Sequence, residues 1–240
     1  MKLLRNIVAG IVAAFFASTI LAVVFYKVFP VWVTPLMVIQ SVKTTSFWHH
    51  TWVPLRDISH DMPVAVMASE DQRFLSHHGF DFDAIQSAVK KNKRAGRNKY
   101  GASTISQQTA KNVFLWPGRS WVRKGLEVYF TTLIEFIWGK ERIMEVYLNS
   151  IEMGDGIYGA EAVAKRHFNK SAKELSRADC ALIAATLPNP RKFSSKTPSA
   201  YMLKRQRKIE HEMKFIPSFP SEGESYDPKT VKGGIYHKKK

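Results

Sequence analysis

Three short runs in this chain carry residue types that could act on a substrate together. The first is Glu70-Asp71-Gln72-Arg73-Phe74-Leu75-Ser76-His77-His78-Gly79, dense in acid, aromatic and imidazole groups. Adjacent carboxylates beside aromatic bulk are a setting in which a carboxyl pKa rises towards that of a proton acceptor. A helix start capped by Ser69, with acids in its first turn, would read the same way. His77 and His78 do not suggest a metal site, because neighbouring residues on a helix face different directions and no third ligand stands nearby. The second run, Gly101-Ala102-Ser103-Thr104-Ile105-Ser106-Gln107-Gln108-Thr109-Ala110-Lys111-Asn112, is polar for a helix start. Its hydroxyls, amides and lysine could line a groove for a sugar or a phosphate, or could simply be a capped helix with a solvated face. The third run is Arg119-Ser120-Trp121-Val122-Arg123-Lys124-Gly125-Leu126-Glu127. On a helix, Arg123 and Glu127 stand at i, i+4 and Lys124 and Glu127 at i, i+3, so the three share a face. The plain reading is a surface ion pair worth under about 1 kcal/mol. The sharper one is a carboxylate among cations, placed to hold a pyrophosphate. Glu135, two turns on, competes for any role given to Glu127.

Helices must position these runs. Met62 onwards reads as helical, and Phe82, Ile85 and Val89 keep helical spacing. Thr104 to Leu115 predicts a further helix. Trp121 to Trp138 is the clearest, with Leu126, Tyr129, Phe130, Leu133, Ile134 and Ile137 forming one apolar stripe. Glu141 to Leu148, Gly159 to Phe168 and Leu175 to Leu187 follow, the last closed by Pro188 and Pro190. Lys90 to Tyr100, with Lys90, Lys91, Lys93, Arg94, Arg97 and Lys99, reads as a mobile, solvated loop that a pyrophosphate ligand would order. No alternating strand runs or internal repeats stand out.

Ile7 to Tyr26 carries no charge and is nearly all apolar. At 1.5 Å per residue it spans about 30 Å, the thickness of a bilayer's hydrocarbon core. It is longer than the apolar core of a cleaved signal peptide and ends in aromatics, which predicts an uncleaved signal-anchor. The short basic N-terminus, with Lys2 and Arg5, places that end in the cytoplasm and the remainder outside. The segment from Pro30 to Pro54 holds Trp32, Phe47, Trp48 and Trp52 between prolines that forbid a long helix. Those aromatics suit a bilayer interface, and equally suit packing on the domain. The resulting division is 1–6 cytoplasmic, 7–29 transmembrane, 30–61 linker, 62–215 catalytic domain and 216–240 a flexible basic tail.

The 240 residues, 45% hydrophobic, allow one sizeable core plus an anchor and exclude two large domains. The net charge of +16 points to anionic partners: a membrane, a phosphorylated substrate or nucleic acid. No helix-turn-helix or zinc pattern supports a nucleic-acid module. Cys180 is the single cysteine and lies in an apolar run, so it reads as a buried, inert thiol.

In their order and spacing these segments resemble the peptidoglycan glycosyltransferases, and within them the monofunctional branch. The family's motifs stand as Glu70-Asp71-x-x-Phe74-x-x-His77-x-Gly79, as Gly101 to Gln108 followed by Lys111-Asn112, and as Arg123-Lys124-x-x-Glu127. They continue as Ile143-Met144-Glu145-Val146-Tyr147-Leu148-Asn149 with Gly154-Asp155-Gly156-x-x-Gly159, and as Leu175-Ser176 through Pro188 and Pro190. Ala102, Phe193 and His167 depart from the residues common at those places. The resemblance implies a mostly α, lysozyme-like catalytic domain with a small membrane-facing lobe, preceded by one transmembrane helix in the bacterial inner membrane. It implies polymerisation of lipid II, the lipid-linked disaccharide-pentapeptide, by inverting glycosyl transfer with release of undecaprenyl pyrophosphate. Glu70 and Glu127 become the catalytic carboxylates. Asp71, Phe74, His77, Ser103, Thr104, Gln107, Gln108, Lys111, Asn112, Arg119, Arg123 and Lys124 become substrate-binding residues. No tightly bound cofactor is implied, and a divalent Mg or Mn ion at the pyrophosphate stays open. The implied partners are lipid II, the growing glycan strand, the anionic membrane and other cell-wall synthesis and division proteins, not nucleic acid. A membrane-anchored lytic muramidase of the same fold is the competing function.

Overall fold

The computed structural model describes residues 1–44, 47–97, 101–118 and 120–220. Lys99 and Arg119 therefore lie outside the described residues, as does the tail from Ser221 on.

Helix α1 runs Lys2–Val28, with a mean hydropathy of 2.6 over its most apolar window, and is a candidate membrane anchor. It is docked, not a free tether. Thr19 Oγ1 and Tyr129 OH lie 2.8 Å apart. The Trp138 indole N–H donates to the Val23 carbonyl at 2.7 Å. Arg142 donates to Tyr26 O at 2.9 and 3.0 Å and to Phe29 O at 2.6 Å. A helix end leaves carbonyls without intrahelical partners, and this guanidinium supplies donors there. Arg142 also pairs with Glu145 and sits 5.1 Å from the Trp52 ring, while Glu145 accepts from Leu55 N–H at 3.1 Å. The segment after the anchor is thus largely packed: α2 spans Pro35–Thr44 and Trp52 lies against the core. Trp32 and Phe47 remain exposed, so the linker aromatics divide between the two roles.

Helix α3 (Asp61–Glu70) is buried from Met62 to Ala68, which explains its unbroken apolar text. It packs on α9 (Arg177–Ala184) and α10 (Ala200–Glu212). Helix α5 (Ile105–Phe114) packs on α6 (Trp121–Ile137) and α7 (Gly139–Ser150). The apolar stripe of α6 faces inwards as expected, with Phe130 and Ile134 fully covered and Phe114 stacked on Phe130 at 4.5 Å. Helix α8 (Ala160–Val163) continues into a π-helical turn, Ala164–Phe168.

Four features differ from the sequence expectation. Lys90, Lys91, Lys93 and Arg94 are not in a loop but on α4 (Phe82–Ala95), capped by Asp81 accepting from Ala84 N–H at 2.9 Å and closed at Gly96. Lysine and arginine are good helix formers and suit a helix C-terminus, so charge density alone misled. Its apolar residues Phe82 and Val89 point outwards. Helix α10 was not anticipated. A three-stranded sheet, order β1-β3-β2, joins β1 (His49–His50) in parallel to β3 (Ile157–Tyr158), which pairs antiparallel with β2 (Glu152–Gly154). Strands this short leave no alternation to read. Finally, the domain does not stop at 215: Ile216 and Phe219 are buried, and Phe219 stacks on Phe74.

Gly159 ties α7 to the sheet. Its φ is +86°, and a Cβ there would stand 2.7 Å from the Asn149 carbonyl oxygen. Asn149 in turn accepts from Val53 N–H and donates to Val53 O. Gly159→Ala therefore combines left-handed strain with a backbone clash and is expected to destabilise the domain by about 2–4 kcal/mol, read as a lowered melting temperature. A melt unchanged within 2 °C would show that the turn relaxes freely.

Candidate active site

Glu70 is the last residue of α3, not the first turn of a helix. Its Oε1 accepts from Ser69 Oγ at 3.0 Å and its Oε2 from Gln108 Nε2 at 3.2 Å. Tyr147 OH donates to Gln108 Oε1 at 3.3 Å, which orients the amide to donate towards Glu70. Burial, with Glu70 and Asp71 nearby, pushes the Tyr147 pKa far up and keeps that hydroxyl protonated. Arg205, on α10, donates to Ser69 Oγ at 3.1 Å and stands 3.9 Å from Glu70 Oε1. Glu70 is 16% exposed, so it is reachable while held by neutral donors.

Asp71 is bonded within the protein. Both its oxygens lie 3.0 Å from His77 Nε2, and Oδ2 accepts from Ile105 N–H at 3.0 Å. Phe74 is fully buried. Asp71 and His77 thus bond to each other and Phe74 packs in the core, while His77 Nδ1 is buried with no hydrogen-bond partner. Thr104 and Gln107 are likewise committed: they make a capping box at the start of α5, and Thr104 donates to Gly79 O at 2.6 Å. Asn112 is buried, whereas Ser103 is exposed. The second run is therefore a capped helix, with Gln108 and Lys111 half-buried on it, Gln108 donating to Glu70.

Glu127 has an opposite setting. It is 4% exposed, with Lys124 Nζ at 2.5 Å from Oε1 and Arg123 Nη1 at 3.1 Å from Oε2. Lys111 faces the same group: burial lowers its pKa first, Glu127 raises it, Arg123 and Lys124 lower it, and Glu70 raises it. Lys111 thus lies in the fields of both Glu70 and Glu127. With both oxygens engaged by Arg123 and Lys124, Glu127 offers a divalent ion poor ligation. Ser120 caps α6 by accepting from Arg123 N–H at 3.1 Å, so the helix N-terminus adds positive potential beside these cations.

The sequence profile of the transglycosylase family matches residues 38–214. This chain belongs to that family. It is 64% identical over 211 residues to a biosynthetic peptidoglycan transglycosylase of Bacteroides thetaiotaomicron, covering 86% of this chain and 85% of that one. It is 55% identical over 213 residues to a protein of the same name from Bdellovibrio bacteriovorus, covering 86% and 84%. A third, from Caulobacter vibrioides, is 52% identical over 208 residues, covering 87% and 90%. The chain is a peptidoglycan glycosyltransferase with the lysozyme-like helical domain of its family. Arg205 and Tyr147 were not assigned from the sequence. Tyr147 stands in a quoted motif, but nothing near Arg205 marks it, because its contact with Ser69 forms only when α10 packs on α3.

Proposed function

We propose that this transglycosylase polymerises lipid II by inverting transfer. The observation that carries the reading is the contrast between the two carboxylates. Glu70 is held by neutral donors at the end of α3, and Glu127 is saturated by cations on α6. Glu70 takes the proton from the 4-hydroxyl of the acceptor sugar. That oxygen forms its bond to the anomeric carbon of the donor from the face opposite the pyrophosphate. The carbon–oxygen bond to the pyrophosphate breaks, and its electron pair leaves with undecaprenyl pyrophosphate. Such a leaving group needs no general acid, unlike the alcohol released in glycoside hydrolysis. It needs charge neutralisation, which Lys111, Arg123 and Lys124 supply, with Arg119, four residues before Arg123 in the sequence, added to them. A muramidase cutting neutral linkages would have no use for that cluster.

Incubating the purified protein with lipid II in detergent should yield a ladder of glycan polymer on a gel. Absence of polymer together with cleavage of preformed glycan would favour the muramidase instead. The anchor α1 and the basic body suit an anionic membrane, and the basic N-terminus supports an external catalytic domain. Alkaline phosphatase fused at the C-terminus should then be active; activity only from a cytoplasm-dependent reporter would reverse the orientation.

A further inference from the structure

Glu135 stands two turns beyond Glu127 on α6, in surroundings of a different kind. Its Oε1 accepts from Ser106 Oγ at 2.5 Å and from Lys140 Nζ at 2.6 Å. The side chains of Glu135 and Lys140 are 9% and 5% exposed. Burial lowers the Lys140 pKa, while Glu135 and, further off, Asp71 hold its charge in place. The Lys140 ammonium also lies 4.4 Å from the centre of the Phe74 ring. A Cβ on Gly79 would come within 3.1 Å of Glu135 Cγ, so the carboxylate side chain runs against the loop that follows Glu70. One carboxylate therefore touches α5, α7 and that loop.

The end of α5 is pinned along its axis by its capping box and by Asp71 on the Ile105 N–H. Both contacts lie in the first turn, and α6 and α7 pack along the rest of the helix. Ser106 and Gln108 are two residues apart, about 200° around a helix, so they lie on nearly opposite sides, while Gln108 and Lys111 share one side. The Ser106–Glu135 bond therefore holds α5 on the side opposite Gln108 and Lys111.

We propose that the Ser106–Glu135–Lys140 chain is a positioning device that fixes the rotation of α5, and thereby holds Gln108 against Glu70. Glu127 is then the carboxylate of the donor site, and Glu135 acts on the reaction only through α5. The proposal rests on Glu70 as the general base. A buried ion pair is a poor way to gain stability, and apolar residues of similar volume would pack as well. A charged acceptor gives Ser106 a short, directional bond instead.

Ser106→Ala removes only the hydroxyl and leaves the ion pair intact. Small displacements of catalytic groups can cost about a hundredfold in rate. The expected result is kcat for lipid II polymerisation lowered about 10- to 100-fold, with KM within about twofold and an almost unchanged melt. Gln108→Ala should lower kcat as well, and the double variant should be no slower than Gln108→Ala alone, because both act through one contact. Wild-type kcat in Ser106→Ala would overturn the proposal. So would losses that multiply in the double variant, or a fall in kcat that comes with a raised KM and a lowered melt. Glu70→Gln, measured alongside, separates the two levels. If it is inactive while Ser106→Ala is normal, only the positioning role falls. If it is active, the base assignment falls.

Discussion

Glu70→Gln is expected to reduce glycan polymerisation by about 10²–10⁴, the range typical of a lost general base. The substitution is close to isosteric. The amide oxygen can still accept from Gln108, and the amide NH2 can donate to Ser69 Oγ, whose own proton can go to the Ala184 carbonyl. Arg205, 3.9 Å away, loses a distant counter-charge but keeps its bond to Ser69. The fold should therefore melt within a few degrees of the wild type, and the protein should still insert into membranes. What the variant cannot do is accept a proton from the acceptor hydroxyl, because a neutral amide is a very poor base. The measurement is initial rate of polymer formation from lipid II beside a thermal melt. Polymerisation near the wild-type rate would remove Glu70 from the base role and leave its hydrogen bonds as structural.

How far the sequence reaches can be seen residue by residue. The Arg123, Lys124 and Glu127 cluster was legible because its geometry is local: three residues on one helix face meet whatever the rest of the chain does. The burial that turns this ion pair into an enclosed site was not legible, because it depends on α5 packing against α6 and bringing Lys111 to the same carboxylate. Asp71 and His77 show the reverse. Their types suggest substrate chemistry, and the turns after α3 fold the imidazole back so that its Nε2 meets the carboxylate, a pairing that no local spacing shows. Thr104 with Gln107 three residues on is a readable capping signature, and the tertiary contact with Gly79 adds a second structural duty. Arg205 and Phe219 reach the site region only by long-range packing, which no periodicity announces. The charge-rich face of α4 looked like a loop because it lacks a buried stripe, and the helix indeed turns Phe82 and Val89 outwards.

Lys124→Ala and Glu127→Ala should separate along the same line between chemistry and support. Lys124 is 42% exposed and Glu127 4%. Removing Lys124 leaves Glu127 still paired with Arg123 and facing Lys111, so the melt should shift by no more than a few degrees. Its ammonium is nonetheless one of the groups assigned to the leaving pyrophosphate, where a single positioned charge typically supplies about 10²–10³ in rate. The expected pair for Lys124→Ala is therefore a large fall in kcat/KM with the fold intact, and Arg119→Ala should follow it if Arg119 carries the same duty. Glu127→Ala removes the one carboxylate on which Arg123 and Lys124 converge. It leaves the largely buried Arg123 without its carboxylate, while Lys124 is free to turn to solvent, so the cost falls below the roughly 3–5 kcal/mol of a fully buried pair. Activity and melting temperature should both fall. If Lys124→Ala instead lowers the melting temperature as far as Glu127→Ala does, the cluster is a structural ion-pair network and the pyrophosphate must be held elsewhere.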